Sequence, residues 1–130
     1  DIIANYIKSQ NYTTVQKTPS GLQYIVTKQG DGPKAKAGQK VTVNYTGMTT
    51  DGKKFDSNVD PQFNHVSPFQ FNLGGGQVIK GWDEGIELLN VGSKAVLMIP
   101  STLGYGARGA GADIPPNAVL VFEVELVAAD

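Results

Sequence analysis

The chain has 130 residues, 40% of them hydrophobic, with a formal net charge of −1 and a pI near 5.8. That suits one domain with a real core and offers no basic footprint for nucleic acid. No Cys and a single His, His65, exclude the common zinc constellations, and wholly apolar runs such as Ala95 to Ile99 are far short of the roughly 18 residues of a membrane span.

Ile2, Ile3, Tyr6 and Ile7 have helical spacing, which predicts a short helix near 2–10. Thr18-Pro19-Ser20-Gly21 breaks that pattern as a linker or turn. Residues 1–20 therefore read as an N-terminal helical segment and linker, and 21–130 as the main domain. The helix is either the end of a longer upstream segment or a flap packed on the domain.

From Leu22 onward the signals are mostly strands. Leu22 to Thr27 alternates imperfectly, and Gly30-Asp31-Gly32-Pro33 makes a turn. Val41, Val43 and Tyr45 alternate with Thr42, Asn44 and Thr46, giving a half-buried strand. Asp51-Gly52 forms a tight turn into Lys53-Lys54-Phe55. Gln70 to Leu73 alternates again. Trp82, Ile86 and Leu89 fall at i, i+4 and i+7, one apolar helical stripe, with Asp83 and Glu84 in the first turn and Gly92 as the expected stop. Ala95 to Ile99 is a continuous apolar strand ended by Pro100. Val119 to Val127 is the longest strand, with Leu120, Phe122, Val124 and Leu126 on one face. The fold class is α+β: an antiparallel sheet of five to six strands wrapped around one short helix.

Three local patterns fail on mechanism. Gly104 to Gly109 matches G-x-G-x-x-G, but the loop must open a phosphate-binding helix, and here a Gly- and Ala-rich stretch follows with Pro115-Pro116 soon after. Gly76 to Gly81 has P-loop spacing, but Trp82 stands where the Lys belongs. His65, in a Pro-rich loop, reads as a solvated residue rather than a general base. What remains between 74 and 126 is rich in apolar and aromatic side chains and poor in reactive ones. Such a site can desolvate and orient a ligand, and it points to a catalyst of conformational change or a peptide-binding pocket.

Val43-Asn44-Tyr45-Thr46-Gly47, Asp51 to Ser57, Val78-Ile79-Lys80-Gly81-Trp82, Tyr105-Gly106-Ala107, and Ile114-Pro115-Pro116 through Phe122 together resemble the FKBP-type peptidyl-prolyl cis-trans isomerases. The resemblance spans about residues 21 to 127, with the motifs in family order. It implies an FKBP-like half-barrel, and an activity that rotates X–Pro bonds in proline-containing polypeptides without cofactor or metal. The alternative is a non-catalytic proline-peptide-binding or chaperone module using the same pocket. The resemblance also implies binding of macrolides such as tacrolimus and rapamycin.

Within that resemblance, Trp82 forms the pocket floor. Tyr45, Phe55, Phe69, Val78, Ile79, Ile114 and Phe122 form its walls. The Tyr105 hydroxyl and the Ile79 backbone N–H bind carbonyls of the substrate, and Asp56 is the polar group beside the reacting amide. Trp82, Ile86, Leu89 and Phe122 also have a plain reading as core, and Asp56 as a solvated turn residue.

Two features depart from the family pattern. Ser57 to Pro68 is longer than in compact members and lacks Arg, so the family's Arg partner for Asp56 is missing; backbone N–H groups or a Tyr hydroxyl are expected to hold the carboxylate instead. This segment, whose only sizeable apolar side chains are Val59 and Phe63, is expected to bulge at the pocket rim. Ala110 stands where some relatives have His. Finally, Ile2 to Val15 resembles the connector before the catalytic domain of envelope members. That implies a bacterial cell envelope location, in the periplasm or as a lipoprotein, with more chain upstream; the cytoplasm stays open.

Overall fold

A computed structural model describes residues 2–60, 68–109 and 114–130. Helix α1 (Ile2–Ser9) is followed by β1 (Gln16–Lys17), β2 (Gln23–Lys28), β3 (Lys40–Thr49), β4 (Lys54–Ser57) and β5 (Phe69–Asn72). Helix α2 (Lys80–Glu87), β6 (Lys94–Ile99) and β7 (Leu120–Ala129) complete the chain, with two short 3-10 turns, Ser101–Leu103 and Gly106–Arg108, between the last strands. The strands form one antiparallel sheet in the order β1-β2-β6-β7-β3-β4, and β5 pairs with β3. Its seventh strand, beyond the expected five to six, is the two-residue β1, too short to leave an alternation signal. The Thr18–Gly21 turn is the bend between β1 and β2, closed by the Gly21 N–H on the Thr18 carbonyl at 3.0 Å.

The side-chain alternation of β6 and β7 separates two apolar layers. Ala95, Leu97, Ile99, Leu120, Phe122, Val124 and Leu126 face α2 together with Trp82, Ile86 and Leu89. Val96, Met98 and Val121 face the opposite way and pack with Ile3 and Tyr6 of α1. Ala95–Ile99 is apolar at every position because both sides of that strand are covered.

Helix α2 lies close to the sheet because two of its residues have no side chain. A Cβ at Gly81 would stand 2.6 Å from Ile99, and one at Gly85 would stand 2.8 Å from Leu97. Its limits differ from the expected ones. The helix starts at Lys80, two residues before Trp82, and ends at Glu87. The Leu88 and Leu89 N–H groups turn back onto Gly85 and Ile86, tightening the last turn. Gly92 is therefore not the helix stop. It sits at φ +93° in the turn that feeds β6, closed by the Ser93 N–H on the Asn90 carbonyl at 3.0 Å.

On one edge of β3, β4 pairs with residues 46–48 and β5 with residues 40–43. The gap between them is filled by a side chain. Asn58, 2% exposed, accepts the Tyr45 N–H at 2.7 Å and donates to the Val43 carbonyl at 2.9 Å. Ser57, fully buried, donates to the Tyr45 carbonyl at 3.0 Å and accepts the Val59 and Asp60 N–H groups. The segment expected to bulge at the rim thus begins inside the protein, because β3 needs its polar groups as ladder partners. Val59 is half exposed rather than a core anchor. Residues 61–67, with Phe63 and His65, and Ala110 lie outside the described residues.

Candidate active site

A hollow of about 260 Å³ opens on the α2 side of the sheet. Tyr45, Phe55, Asp56, Phe69, Gln77, Val78, Ile79, Trp82, Tyr105 and Phe122 line it. Nine of the ten expected site residues meet here, drawn from six places in the chain. Ile114 is not among the lining residues: it is 6% exposed and packs with the core side chains.

Trp82 stands at the centre. Its ring meets Tyr45 at 5.0 Å, Phe122 at 5.2 Å, Phe69 at 5.8 Å and Phe71 at 5.9 Å between centroids. The contacts with Tyr45, Phe122 and Phe69 are near-perpendicular edge-to-face packings, the arrangement that ring quadrupoles favour. Phe55 meets Phe122 in the same way at 5.6 Å. The floor is therefore rigid, and Trp82 belongs to the core and to the hollow at once. Its indole N–H is buried without a hydrogen-bond partner among the described residues.

Two inward positions of β3 arrange the polar side. The Tyr45 hydroxyl donates to Asp56 Oδ2 at 2.7 Å, and the Ser57 N–H donates to Asp56 Oδ1 at 2.9 Å. Among the described residues, one Tyr hydroxyl and one backbone N–H hold the carboxylate, the kinds of partner expected where the family's Arg is missing. Burial, then the hydrogen bond and charge of Asp56, push the Tyr45 hydroxyl far above its ordinary pKa, so it remains a donor through the neutral range. Gly47 is paired with Phe122 on one side and Asp56 on the other. A Cβ there would lie 2.6 Å from the Phe122 ring and 2.8 Å from Phe55, so its missing side chain makes the space both rings occupy.

The opposite rim carries the expected donors. Ile79 stands immediately before α2 in an extended conformation, and Tyr105 precedes the Gly106–Arg108 turn, 41% exposed. Among the described residues, neither the Ile79 N–H nor the Tyr105 hydroxyl donates to a protein acceptor, which leaves both available. Gln77, absent from the expected set, also reaches the hollow, and its side-chain oxygen accepts the Asn72 N–H at 2.9 Å. Its exposed, polar character gave it no signal in the apolar pattern. A second hollow, on the outer face, has charged walls from Lys94, Glu123 and Glu125 and shares only Tyr45 with the expected residues.

A family model described as FKBP-type peptidyl-prolyl cis-trans isomerase matches residues 32–127. The chain belongs to this family. It is 50% identical over 135 residues to the FKBP-type peptidyl-prolyl cis-trans isomerase FkpA of Aeromonas hydrophila, an alignment covering 98% of this chain and 48% of that one. It is likewise 50% identical to FK506-binding protein 1 of Dictyostelium discoideum, covering 82% of this chain and 96% of that one. The chain thus spans about half the length of the Aeromonas relative and nearly all of the Dictyostelium one.

The crystal structure of FkpA from Escherichia coli superposes with a TM-score of 0.84 at 37% identity, covering 99% of this chain and 57% of that one. That of AtFKBP13 gives 0.83 at 38% identity, covering 91% of this chain and all of the other. The FKBP fold accordingly includes the sheet and α2, and in the FkpA comparison the alignment extends across nearly the whole chain.

Proposed function

We propose that this FKBP-family chain catalyses cis-trans isomerisation of X–Pro bonds in proline-containing polypeptides, using the Trp82 hollow. The observation that carries the reading is the convergence on that hollow of an edge-packed aromatic floor with the Ile79 N–H and Tyr105 hydroxyl unspent at its rim.

Rotation about an X–Pro amide is slow because it breaks partial C–N double-bond character, at a cost of about 18–20 kcal/mol. The twisted state returns the lone pair to nitrogen and reduces charge separation across the amide. An apolar site that strips water from the carbonyl favours that state over the planar one. Trp82, Phe55, Phe122 and Val78 supply those walls. Donation from Ile79 and Tyr105 to flanking carbonyls holds the chain while Pro turns. Asp56, held by Tyr45 and Ser57, is the polar group beside the amide. An acceleration of about 10⁵ asks for roughly 7 kcal/mol of differential stabilisation, within reach of positioning and desolvation together. No bond is made or broken, so the reaction requires no nucleophile.

The test is a protease-coupled assay on Leu-Pro and Phe-Pro peptides with the folded chain. Catalysis is expected, faster for apolar residues before Pro. A rate equal to the uncatalysed one would favour the binding-module reading. The same floor supports binding of tacrolimus and rapamycin, read by Trp82 fluorescence.

The proposed setting is the bacterial cell envelope, where the chain would assist protein folding. Support comes from the alignment with the Aeromonas FkpA over 98% of this chain, including α1. No helix among the described residues is long and apolar enough to cross a membrane. Fractionation of cells producing the native gene product tests the location, and recovery in the cytosol alone would overturn it.

A further inference from the structure

The segment that delivers Val78 and Ile79 to the hollow begins with three consecutive glycines, Gly74–Gly76. Gly74 and Gly76 both have positive φ, +80° and +74°. Glycine runs are the most entropically costly backbone to hold still. Here the chain just upstream is anchored through the Leu73 N–H on the Gln39 carbonyl at 2.9 Å and the Gly38 N–H on the Leu73 carbonyl at 2.8 Å. Beyond Leu73, one backbone bond, the Gly75 N–H on the Asn72 carbonyl at 3.2 Å, ties the segment, and side chains supply the other ties.

Asp83, in the first turn of α2, supplies two of them. One carboxylate oxygen accepts the Gly74 N–H at 2.9 Å, and the other accepts the Gly76 N–H at 3.1 Å. Gln77 adds a second clasp through its side-chain oxygen on the Asn72 N–H. Asp83 follows Trp82 directly, so one carboxylate fastens the loop that presents the Ile79 N–H to the helix turn that presents the floor. We infer that Asp83 is a positioning residue of the isomerase site: it fixes the Ile79 donor relative to Trp82 by clamping the Gly74–Gly76 segment. This rests on the isomerase reading of that hollow.

The chemistry of the clamp sets the variants. A carboxylate has two acceptor oxygens and no donor, so it alone can take both N–H groups. Asp83→Asn keeps one acceptor and turns an NH₂ toward the other glycine. Asp83→Ala removes both. The substrate meets the Ile79 donor in the planar and the twisted state alike, so loosening it weakens both equally. The expected signature is a KM several-fold higher for Asp83→Ala with kcat within about twofold of wild type, and an intermediate KM for Asp83→Asn.

The experiment measures steady-state isomerisation of a Leu-Pro peptide by the full chain and both variants, with amide hydrogen exchange at Gly74 and Gly76. Exchange at both glycines should quicken in Asp83→Ala while amides of β6 and β7 keep their protection. Unchanged exchange at the two glycines would overturn the clamp. So would a fall in kcat at constant KM, in step with loss of folded protein, because that is the mark of a purely structural role. A wild-type chain that fails to accelerate isomerisation would sink the isomerase reading, and with it the positioning role, whereas the exchange data would still report the clamp itself.

Discussion

Gly47 stands directly opposite Phe122 in the β3–β7 ladder, and the Phe122 ring lies over it where a side chain would otherwise be. The backbone of β3 therefore backs the two rings that wall the pocket. Replacing Gly47 with Ala puts a methyl 2.6 Å from Phe122 and 2.8 Å from Phe55, and both rings are already held edge-to-face. They must shift into the hollow. We expect a folded chain that is less stable by about 1–3 kcal/mol, as for other overpacked cores, with weakened macrolide binding. Calorimetry and a fluorescence titration with rapamycin check this, and unaltered affinity would mean that the rings yield in some other direction.

Tyr45 and Asp56 make a pH prediction. An unfolded tyrosine ionises at about pH 10. In the folded chain the Tyr45 hydroxyl is raised well above that, first by burial and then by Asp56. The folded state therefore retains a proton that the unfolded state gives up. Its stabilising effect is full below about pH 10 and is lost as pH climbs from there toward the folded value. Tyr6 and Tyr12 are raised as well, mainly by burial, so they share the effect. Tyr45→Phe should accordingly make the alkaline fall in stability shallower without removing it, and cost about 1 kcal/mol at neutral pH through the lost hydrogen bond. Urea unfolding at a series of pH values measures both, and an unchanged alkaline slope would count against the assignment.

The buried Asn58 side chain replaces a strand that β3 lacks. Asn58→Ala leaves the Tyr45 N–H and the Val43 carbonyl without that partner in a dry environment, at about 1–3 kcal/mol for each unsatisfied group. A loss of at least about 2 kcal/mol is expected in chemical denaturation. Catalysis should also fall, since Tyr45 is the residue whose backbone is released. A variant as stable as wild type would show that water takes over both bonds.

These three residues also show where reading the sequence succeeds and where it stops. The apolar run Ala95–Ile99, the alternation of β7 and the Trp82–Ile86–Leu89 stripe predict the sheet, the helix and the face each buries, because burial imposes periodicity. The aromatic walls come with those elements, and the ordered motifs are what read them as a candidate site. Gly47 carries a weaker sign: a glycine inside a strand pattern marks a close approach of something, without saying what. Asn58 and Asp83 carry none, since a polar residue after a strand or in a first helical turn looks the same whether it is solvated or clasping backbone. Ile114 fits a wall by motif, and in the structure it packs with the core side chains without lining the hollow.

Tyr105 and Trp82 separate binding from folding. Tyr105 is well exposed at the rim, so Tyr105→Phe removes one hydroxyl donor and leaves stability unchanged. Affinity for a proline peptide or macrolide should fall by about 1 kcal/mol, the value of one hydrogen bond. Trp82 is 4% exposed and touches four other rings, so Trp82→Leu has two consequences. Leu still fills part of the stripe, and the domain should fold with a loss approaching the roughly 3–5 kcal/mol seen when a large aromatic is truncated further, to Ala. Without the flat floor, macrolide binding should weaken far more than in Tyr105→Phe. Parallel denaturation and isothermal titration of the two variants decide the matter. If Trp82→Leu lost stability but bound as tightly as wild type, the indole would be core alone, and the floor of the site would have to be sought among Phe122, Phe55 and Tyr45.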